Sequence, residues 1–491
     1  MENKLVPIKI LPASIAIAIT LIVWFLIPVP EGVSPNAWHL LALFAGTIAA
    51  IIGKALPIGG VSIVAISLVA ITGVTNPEST KDALADALSG FSNDLIWLIG
   101  VAVMISISLK KTGLGARIGY FFISLFGKKT LGIAYSLSFA ETLLAPITPS
   151  NTARGGGIIH PIMRSIANSF GSKPERGSTE KIGRYLALVN YNTNPITSAM
   201  FITATAPNPL IVSLVYEGTH PGETLTWGMW AVAAIVPALV ALVIMPLVIY
   251  LIYPPEIKKT PDAPVFAKEK MKELGPISLS EKITMGVFTI LLLLWAGIPA
   301  LIFGSEYSVQ PTTAAFIGLS ILIVTGVLTW EDILKNTGAW DTIVWFAALV
   351  MMAGFLGKLG LVSWLASTVG NGIASFGFDW ITASIILLLV YVYSHYFFAS
   401  TTAHITAMFA AFFAAGIALG APPMLWALVL GFSSSIMMSL THYGTGTAPI
   451  IFGSGYTTLG EWWKTGFVMS VVNLLIFLLV GGAWWKLLGY W

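Results

Sequence analysis

The chain has 491 residues, 56% of them hydrophobic and only 10% charged, whereas a soluble globular domain carries about 25% charged residues. So few charges cannot cover the surfaces of soluble domains, and the composition defines a polytopic membrane protein. Zero cysteines exclude disulfides, thiolate metal sites and thiol nucleophiles, and a net charge of +3 leaves no electrostatic footprint for nucleic acid.

Met1 to Lys9 precedes an apolar run with no small-residue cleavage site, and reads as the lead-in to a retained first span. A membrane span needs about 20 mainly apolar residues. Such runs begin near residues 9, 36, 56, 93, 183, 227, 283, 310, 340, 422 and 465, predicting an all-α polytopic protein with about eleven transmembrane helices. Two further apolar stretches, 131–168 and 378–418, are each interrupted midway, by Thr148-Pro149-Ser150-Asn151-Thr152 and by Ser400-Thr401-Thr402. Each reads as a re-entrant hairpin, two short helices meeting at a polar tip. The span from 183 carries Asn190-Tyr191-Asn192-Thr193-Asn194-Pro195 and then Thr205-Ala206-Pro207-Asn208-Pro209. The span from 422 carries Ser433-Ser434-Ser435 and then Thr441 to Thr447. Both are expected to break at these clusters, freeing carbonyls for a ligand. Tryptophan pairs at the ends of apolar runs (Trp227 and Trp230, Trp462 and Trp463, Trp484 and Trp485) sit where interfacial belts belong.

Basic residues sort along the chain. Eleven fall between Lys110 and Arg184, none between Tyr185 and Ile257, and six between Lys258 and Lys282. The first and third stretches are therefore cytoplasmic and the loop Glu217 to Glu223 is outside. With one hairpin entering from each side, the expected topology has the N-terminus inside and the C-terminus outside a plasma (inner) membrane. Segment 254–282 reads as a cytoplasmic linker between residues 1–253 and 283–491.

These halves repeat. Leu95-Ile96-Trp97, with its run to Thr112-Gly113-Leu114, is echoed by Ile343-Val344-Trp345 and its run to Leu359-Gly360-Leu361. Ser150-Asn151-Thr152-Ala153-Arg154 is echoed by Ser400-Thr401-Thr402-Ala403-His404. The offsets, 248 for the Trp pair and 250 for the Ser pair, are nearly constant. The second copy is read as inverted relative to the first. Inverted repeats with paired broken helices mark secondary transporters, and with no paired catalytic groups at membrane depth the chain is not read as an enzyme.

Irregular backbone at membrane depth has to line a cavity or be buried in protein. The tips therefore predict a shared polar site built from Ser150, Asn151, Thr152, Ser400, Thr401 and Thr402, extended by Thr205, Pro207, Thr441, Tyr443 and Gly444 from the two breaks. A helix starts after each tip, and its free N–H groups carry about half a positive charge, so two converging N-termini attract an anion. Serine and threonine also cap helices, but a matched pair at a 250-residue offset asks for more than capping.

This arrangement resembles the divalent anion:sodium symporter (INDY-like) family over nearly the whole chain. Its specific part is Ser150-Asn151-Thr152 with the second copy at Ser400-Thr401-Thr402. The wording Pro146-Ile147-Thr148-Pro149-Ser150-Asn151-Thr152-Ala153-Arg154-Gly155-Gly156 and Leu440-Thr441-His442-Tyr443-Gly444 looks most like the 2-oxoglutarate/malate translocator branch. The resemblance implies a homodimer with a fixed scaffold and an elevator-type transport domain, and C4 or C5 dicarboxylate substrates gripped by the two motifs. Thr401 departs from it, standing where symporters of the family commonly have Asn. Members that couple to sodium tend to have small or hydroxylated residues where this chain has Arg154 and His404, so no sodium or other cofactor is expected.

A guanidinium at Arg154 supplies the charge a sodium would bring. An empty cationic site crossing the bilayer is penalised by about +2.5–3.5 kcal/mol on insertion scales, and a bound dianion offsets most of this. The expectation is obligatory exchange of one dicarboxylate for another; the alternative is an Arg154 tied up structurally, with Glu141 as the obvious candidate partner and Arg164 competing for it. His404 and His442 stand beside the same motifs, either as further charge-compensating groups or as neutral imidazoles each donating one hydrogen bond in a packed site. A sodium-coupled symporter is the alternative; an anion channel and an intramembrane enzyme are the other rivals.

Overall fold

Short polar caps and left-handed glycines divide an otherwise helical chain. The computed structural model describes residues 8–219, 224–374 and 377–491; residues 1–7, most of the expected lead-in, and 220–223, the end of the expected outer loop, lie outside them. In chain order the helices are α1 (Ile10–Leu21), α2 (Pro35–Ile52), α3 (Ile58–Thr72), α4 (Thr80–Leu88), α5 (Asp94–Thr112), α6 (Leu114–Phe126), α7 (Thr130–Leu144), α8 (His160–Ser169), α9 (Gly183–Met200), α10 (Pro207–Gly218), α11 (Trp227–Ile252) and α12 (Ala263–Glu273). They continue with α13 (Leu279–Trp295), α14 (Ile298–Phe303), α15 (Pro311–Val324), α16 (Trp330–Leu334), α17 (Thr337–Lys358), α18 (Leu361–Ala374), α19 (Trp380–Tyr393), α20 (Thr401–Ala418), α21 (Pro423–Ile436), α22 (Thr447–Phe452), α23 (Leu459–Ile476) and α24 (Gly482–Leu487). Among the described residues there is no strand, only an isolated bridge between Lys129 and Lys259.

Local chemistry sets the boundaries. Ser34 caps α2 ahead of Pro35, and Ser278 and Thr458 form reciprocal capping boxes with Glu281 and Glu461 at α13 and α23. α5 ends on Gly113 at φ 81° and the turn after α17 uses Gly360 at φ 85°, a conformation free of Cβ strain only for glycine. A helix starts close to each of the eleven expected spans, the largest offset being Leu459 against residue 465.

Among the described residues, eight helical runs are long and apolar enough to cross a membrane. Five contain the expected spans at α2, α5, α11, α17 and α23, and three are arms flanking the two polar tips: Thr130–Ile147, Trp380–Phe397 and Thr401–Ala418. The expected spans at α1, α3, α15 and α21 are shorter apolar helices. α9 is excluded by its polarity instead: from Tyr185 to Met200 every residue is buried in protein.

Two expectations are corrected here. α9 does not break at Asn190–Pro195 but runs through Pro195 to Met200, and α21 runs through Ser433–Ser435 to Ile436. The polar side chains hold to helical carbonyls one turn back, Asn192 to Leu188, Thr193 to Val189 and Ser434 to Leu430, so they are satisfied without unwinding. The breaks come later, at Phe201–Ala206 and Met437–Gly446. The tryptophans are the second correction. Trp230, Trp462 and Trp485 are fully enclosed; the indoles of Trp230 and Trp485 donate to the carbonyls of Ala199 and Ala233, pinning helices together inside the protein, while Trp463 and Trp484 beside them stay partly exposed.

The order of elements recurs. α5, α6, the helix pair α7/α8 around a tip, the broken pair α9/α10 and the long α11 are followed later by α17, α18, the pair α19/α20, the broken pair α21/α22 and α23. Segment 254–282 is more than a spacer. Its start lies extended against the base of the first helix pair, Thr130 N–H donating to Lys258 O and Thr260 N–H to Lys128 O, while Glu256 and Ile257 donate to the carbonyls of Glu180 and Lys181. α12 then packs on α6, and Arg117 of α6 pairs with Glu281 of α13 at 2.5 Å.

Candidate anion-binding site

A cavity of about 840 Å³ lies where the two tips and the two breaks converge. Thr148 to Ala153 enter it from the first tip, Ala399 to Thr402 from the second, Thr205 to Pro207 from the first break, and Met438, Thr445 and Gly446 from the second. The remaining wall comes from α5 and the start of α17, with Lys110, Asp332 and Lys335 at its rim. Asp332 hydrogen-bonds Lys111 at 2.6 Å, and this contact, with those from Thr329, holds its carboxyl down at about 2.

The two tips are built alike. Ser150 accepts from Ala153 N–H at 3.1 Å and Ser400 from Ala403 N–H at 3.4 Å, so each serine caps the helix that follows. Capping uses only a lone pair. Among the described residues, Ser150, Thr152, Thr205, Ser400 and Thr402 donate their hydroxyl hydrogens to no protein group, and all five line the cavity. Asn151 donates to Thr445 Oγ1 at 3.0 Å and accepts from Thr152 N–H, which joins the first tip to the second break. Thr401 donates to the carbonyl of Gly444 at 3.1 Å, which joins the second tip to the same break. The cavity thus presents hydroxyl donors and helix N-termini, the chemistry that binds carboxylates without a metal.

Eight of the expected site residues line this cavity: Ser150, Asn151, Thr152, Ser400, Thr401, Thr402, Thr205 and Pro207. Thr441, Tyr443 and Gly444 do not. Tyr443 OH donates to Tyr396 O, the Thr441 carbonyl accepts from Tyr191, and the Gly444 carbonyl is taken by Thr401 and His395. Their places at the cavity are held by Thr445 and Gly446. A signal existed for this: Thr205 and Thr445 each stand two residues before a helix start, Pro207 and Thr447.

The charge-compensating residues also differ from expectation. Arg154 is fully enclosed and does not line the cavity. Its Nη1 donates to the carbonyls of Thr148 and Ala204, both at 2.8 Å, and its Nη2 to Ser198 and Thr197 at 3.1 and 3.3 Å. Glu141 Oε1 lies 3.5 Å from Arg154 Nε, the engagement the sequence had named, and Glu141 is held in turn by Asn194 at 2.6 Å and Thr197 at 3.2 Å. The guanidinium therefore fastens the first tip to the first break from behind, and the buried pair contributes little net charge. His404 is likewise enclosed behind the second tip. At His442 the Trp463 indole N–H donates to Nδ1 at 3.1 Å; a nitrogen that accepts carries no hydrogen, so this ring is not a cation facing the cavity. Asn194 and His395 went unremarked as site residues. Asn194 bonds Glu141, the Asn151 carbonyl and Thr447. His395 lies five residues before Ser400, where the first copy has Ala145, so the repeat gave no hint of it.

The fold and this cavity define a membrane transporter. The family model described as the sodium:sulfate symporter transmembrane region matches residues 8–491, and the chain belongs to that divalent anion:sodium symporter family, in its 2-oxoglutarate/malate branch. A Bacillus subtilis (strain 168) protein provisionally named malate transporter YflS is 52% identical over 484 residues, covering 99% of this chain and 98% of that one. The chloroplastic dicarboxylate transporter 1 of Arabidopsis thaliana is 46% identical over 480 residues, covering 98% of this chain and 83% of the relative. Among solved structures, the Alcanivorax borkumensis YdaH transporter superposes with a TM-score of 0.57 at 12% identity, covering 87% of this chain and 97% of that one, a likeness of fold alone.

Proposed function

We propose that this protein is a sodium-independent exchanger of C4 and C5 dicarboxylates. The protein is a dicarboxylate transporter by its family and relatives; the exchange mode rests on the Arg154 site. The carbonyls of Thr148 and Ala204 and the hydroxyls of Thr197 and Ser198 form an oxygen cluster suited to a small cation, and a side chain that cannot leave fills it. Because Glu141 neutralises Arg154, the penalty for moving an empty site comes from elsewhere. Two helix N-termini, about half a charge each, and five hydroxyl hydrogens without a protein acceptor are compensated in full only by a bound dianion. The loaded site crosses and the empty one stays.

The remaining features of this reading go together. The two halves are inverted repeats, the tips are re-entrant hairpins, and hairpins and broken helices travel as the mobile part of an elevator against a scaffold containing α5 and α17, in a homodimer of the plasma membrane. The basic side of the chain is cytoplasmic, so the cavity rimmed by Lys110 and Lys335 opens inward. The test is transport by purified protein in liposomes preloaded with unlabelled malate, succinate or 2-oxoglutarate. Labelled substrate enters only vesicles holding a counter-substrate, at the same rate with or without sodium. Uptake into empty vesicles driven by a sodium gradient identifies the symporter alternative and ends the exchange reading.

A further inference from the structure

Behind the second tip two buried imidazoles face each other. His395, in the turn closing the first arm, and His404, in the first turn of α20, have their Nδ1 atoms 3.0 Å apart. His395 Nε2 lies 3.1 Å from the carbonyl oxygen of Gly444, the same oxygen that accepts from the cavity-lining Thr401. A carbonyl only accepts, so His395 Nε2 carries a hydrogen. In a neutral His395 the Nδ1 is then a bare acceptor, and the hydrogen between the two rings belongs to His404 Nδ1.

We propose that His404 is a positioning residue that fixes the tautomer of His395 and thereby holds the second tip, at Thr401, and the second break, at Gly444, on one shared carbonyl. The proposal rests on the transporter reading of this site and assigns His404 a task within it. Were His404 Nδ1 not a donor, His395 would be free to place its hydrogen on Nδ1, and Nε2 would point a lone pair at the Gly444 oxygen. That repulsion would part the tip from the break. The arrangement also survives protonation. If the pair takes up one proton, the hydrogen between the rings becomes His395's and His404 Nε2–H turns to Ser394 Oγ, 3.5 Å away, while His395 Nε2–H stays on Gly444.

The surroundings suit this task. The His404 ring is held between Phe398, with centroids 4.5 Å apart, and Tyr391, 4.8 Å away. Tyr391 shares a hydrogen bond with Ser434, not with either imidazole. The titratable groups facing the pair are thus Tyr391 and the two rings themselves; Ser394 and the Gly444 carbonyl complete its polar contacts, the first donating in turn to Met408 and the second accepting from Thr401. Among the described residues no carboxylate, Lys or Arg is hydrogen-bonded to either ring. The hydrogen-bond order is therefore decided by the imidazoles and one carbonyl, without a nearby charge to override it.

The experiment labels the histidine nitrogens of the full-length protein in lipid with nitrogen-15 and reads the His395 tautomer by magic-angle-spinning NMR, alongside malate exchange in liposomes. The His395 signals are assigned by their loss in His395→Gln. In the unsubstituted protein His395 Nε2 is expected to stay protonated from about pH 5.5 to 8.5, the range in which imidazoles titrate. His404→Leu, which keeps bulk without a donor, is expected to give a mixture of His395 tautomers. It should also slow exchange about tenfold or more, the scale of one buried group left unpaired. His404→Asn, whose amide restores the donor, is expected to keep the single tautomer and most of the exchange. A deprotonated His395 Nε2 in the unsubstituted protein overturns the proposal, as does a tautomer that is unmoved by His404→Leu. If His404→Leu does not fold, the unsubstituted protein and His404→Asn still decide. Absent exchange by the unsubstituted protein would count against the transport reading, and the spectra would judge His404 independently.

Discussion

Arg154 and Glu141 show how a charge can serve a binding site without facing it. Both are wholly enclosed, and a buried charge stripped of its partner destabilises strongly, by about 3–5 kcal/mol. Glu141→Gln is therefore expected to lower the thermal midpoint of the purified protein substantially, because it leaves the guanidinium unpaired. Replacing both, with Glu141→Leu and Arg154→Met, should restore part of that loss. A double variant as unstable as the sum of the single ones would dissolve the pair. The sequence singled out both residues, since each stands out in an apolar stretch, and offered their pairing only as the alternative to an Arg154 that faces the substrate. The tip residues it named all line the cavity. It could not tell that Arg154 points away from the cavity, because the side a residue faces on an irregular π-type turn, here Thr152–Ile159, is not given by helical periodicity.

At the scale of elements, the breaks matter most, and close backbone approach holds them. α23 passes the second break so tightly that a Cβ on Gly466 would lie 2.2 Å from the Ser439 carbonyl oxygen and 3.0 Å from that of Leu440. Gly466→Ala is expected to destabilise by about 1–3 kcal/mol through overpacking and to slow exchange, because the displaced backbone leads straight into Thr445. Gly228→Ala, with nothing within 4 Å of its new Cβ, is the matched control. Equal thermal midpoints and equal exchange in the two variants would remove this role from Gly466. The tips were legible in the sequence because serine, asparagine and threonine interrupt long apolar runs. Of the two clusters read in each span, the later ones, Thr205–Pro209 and Thr441–Thr447, overlap the breaks, while the earlier ones, Asn190–Pro195 and Ser433–Ser435, stay helical, because polar side chains that bond their own helix look, in one dimension, like residues that unwind it.

At the scale of the whole molecule, orientation is the testable quantity. The chain has no cysteine, so single introduced cysteines report cleanly on sidedness. With the basic side in the cytoplasm, Lys335→Cys at the cavity rim, a side chain 75% exposed, should react with an impermeant maleimide only from the cytoplasmic side. Tyr307→Cys, between α14 and α15 and 56% exposed, should react only from outside. The reverse pattern would invert the topology. The extended clip of residues 256–260 against the base of α7 and the loop before α9 adds a constraint that no count of basic residues could supply.

Sequence alone determined the membrane class, the approximate starts of the helices and the polar interruptions of two apolar runs. These depend on composition, local periodicity and breaks in apolar runs, all of which are one-dimensional. Tertiary structure decided which residues of the two breaks reach the cavity, that Glu141 neutralises Arg154, and that His395 stands against His404 and Gly444. Those facts depend on which faces of distant segments meet. In a chain with 10% charged residues, the enclosed pair of Glu141 and Arg154 stands behind a cavity lined by hydroxyls and helix ends.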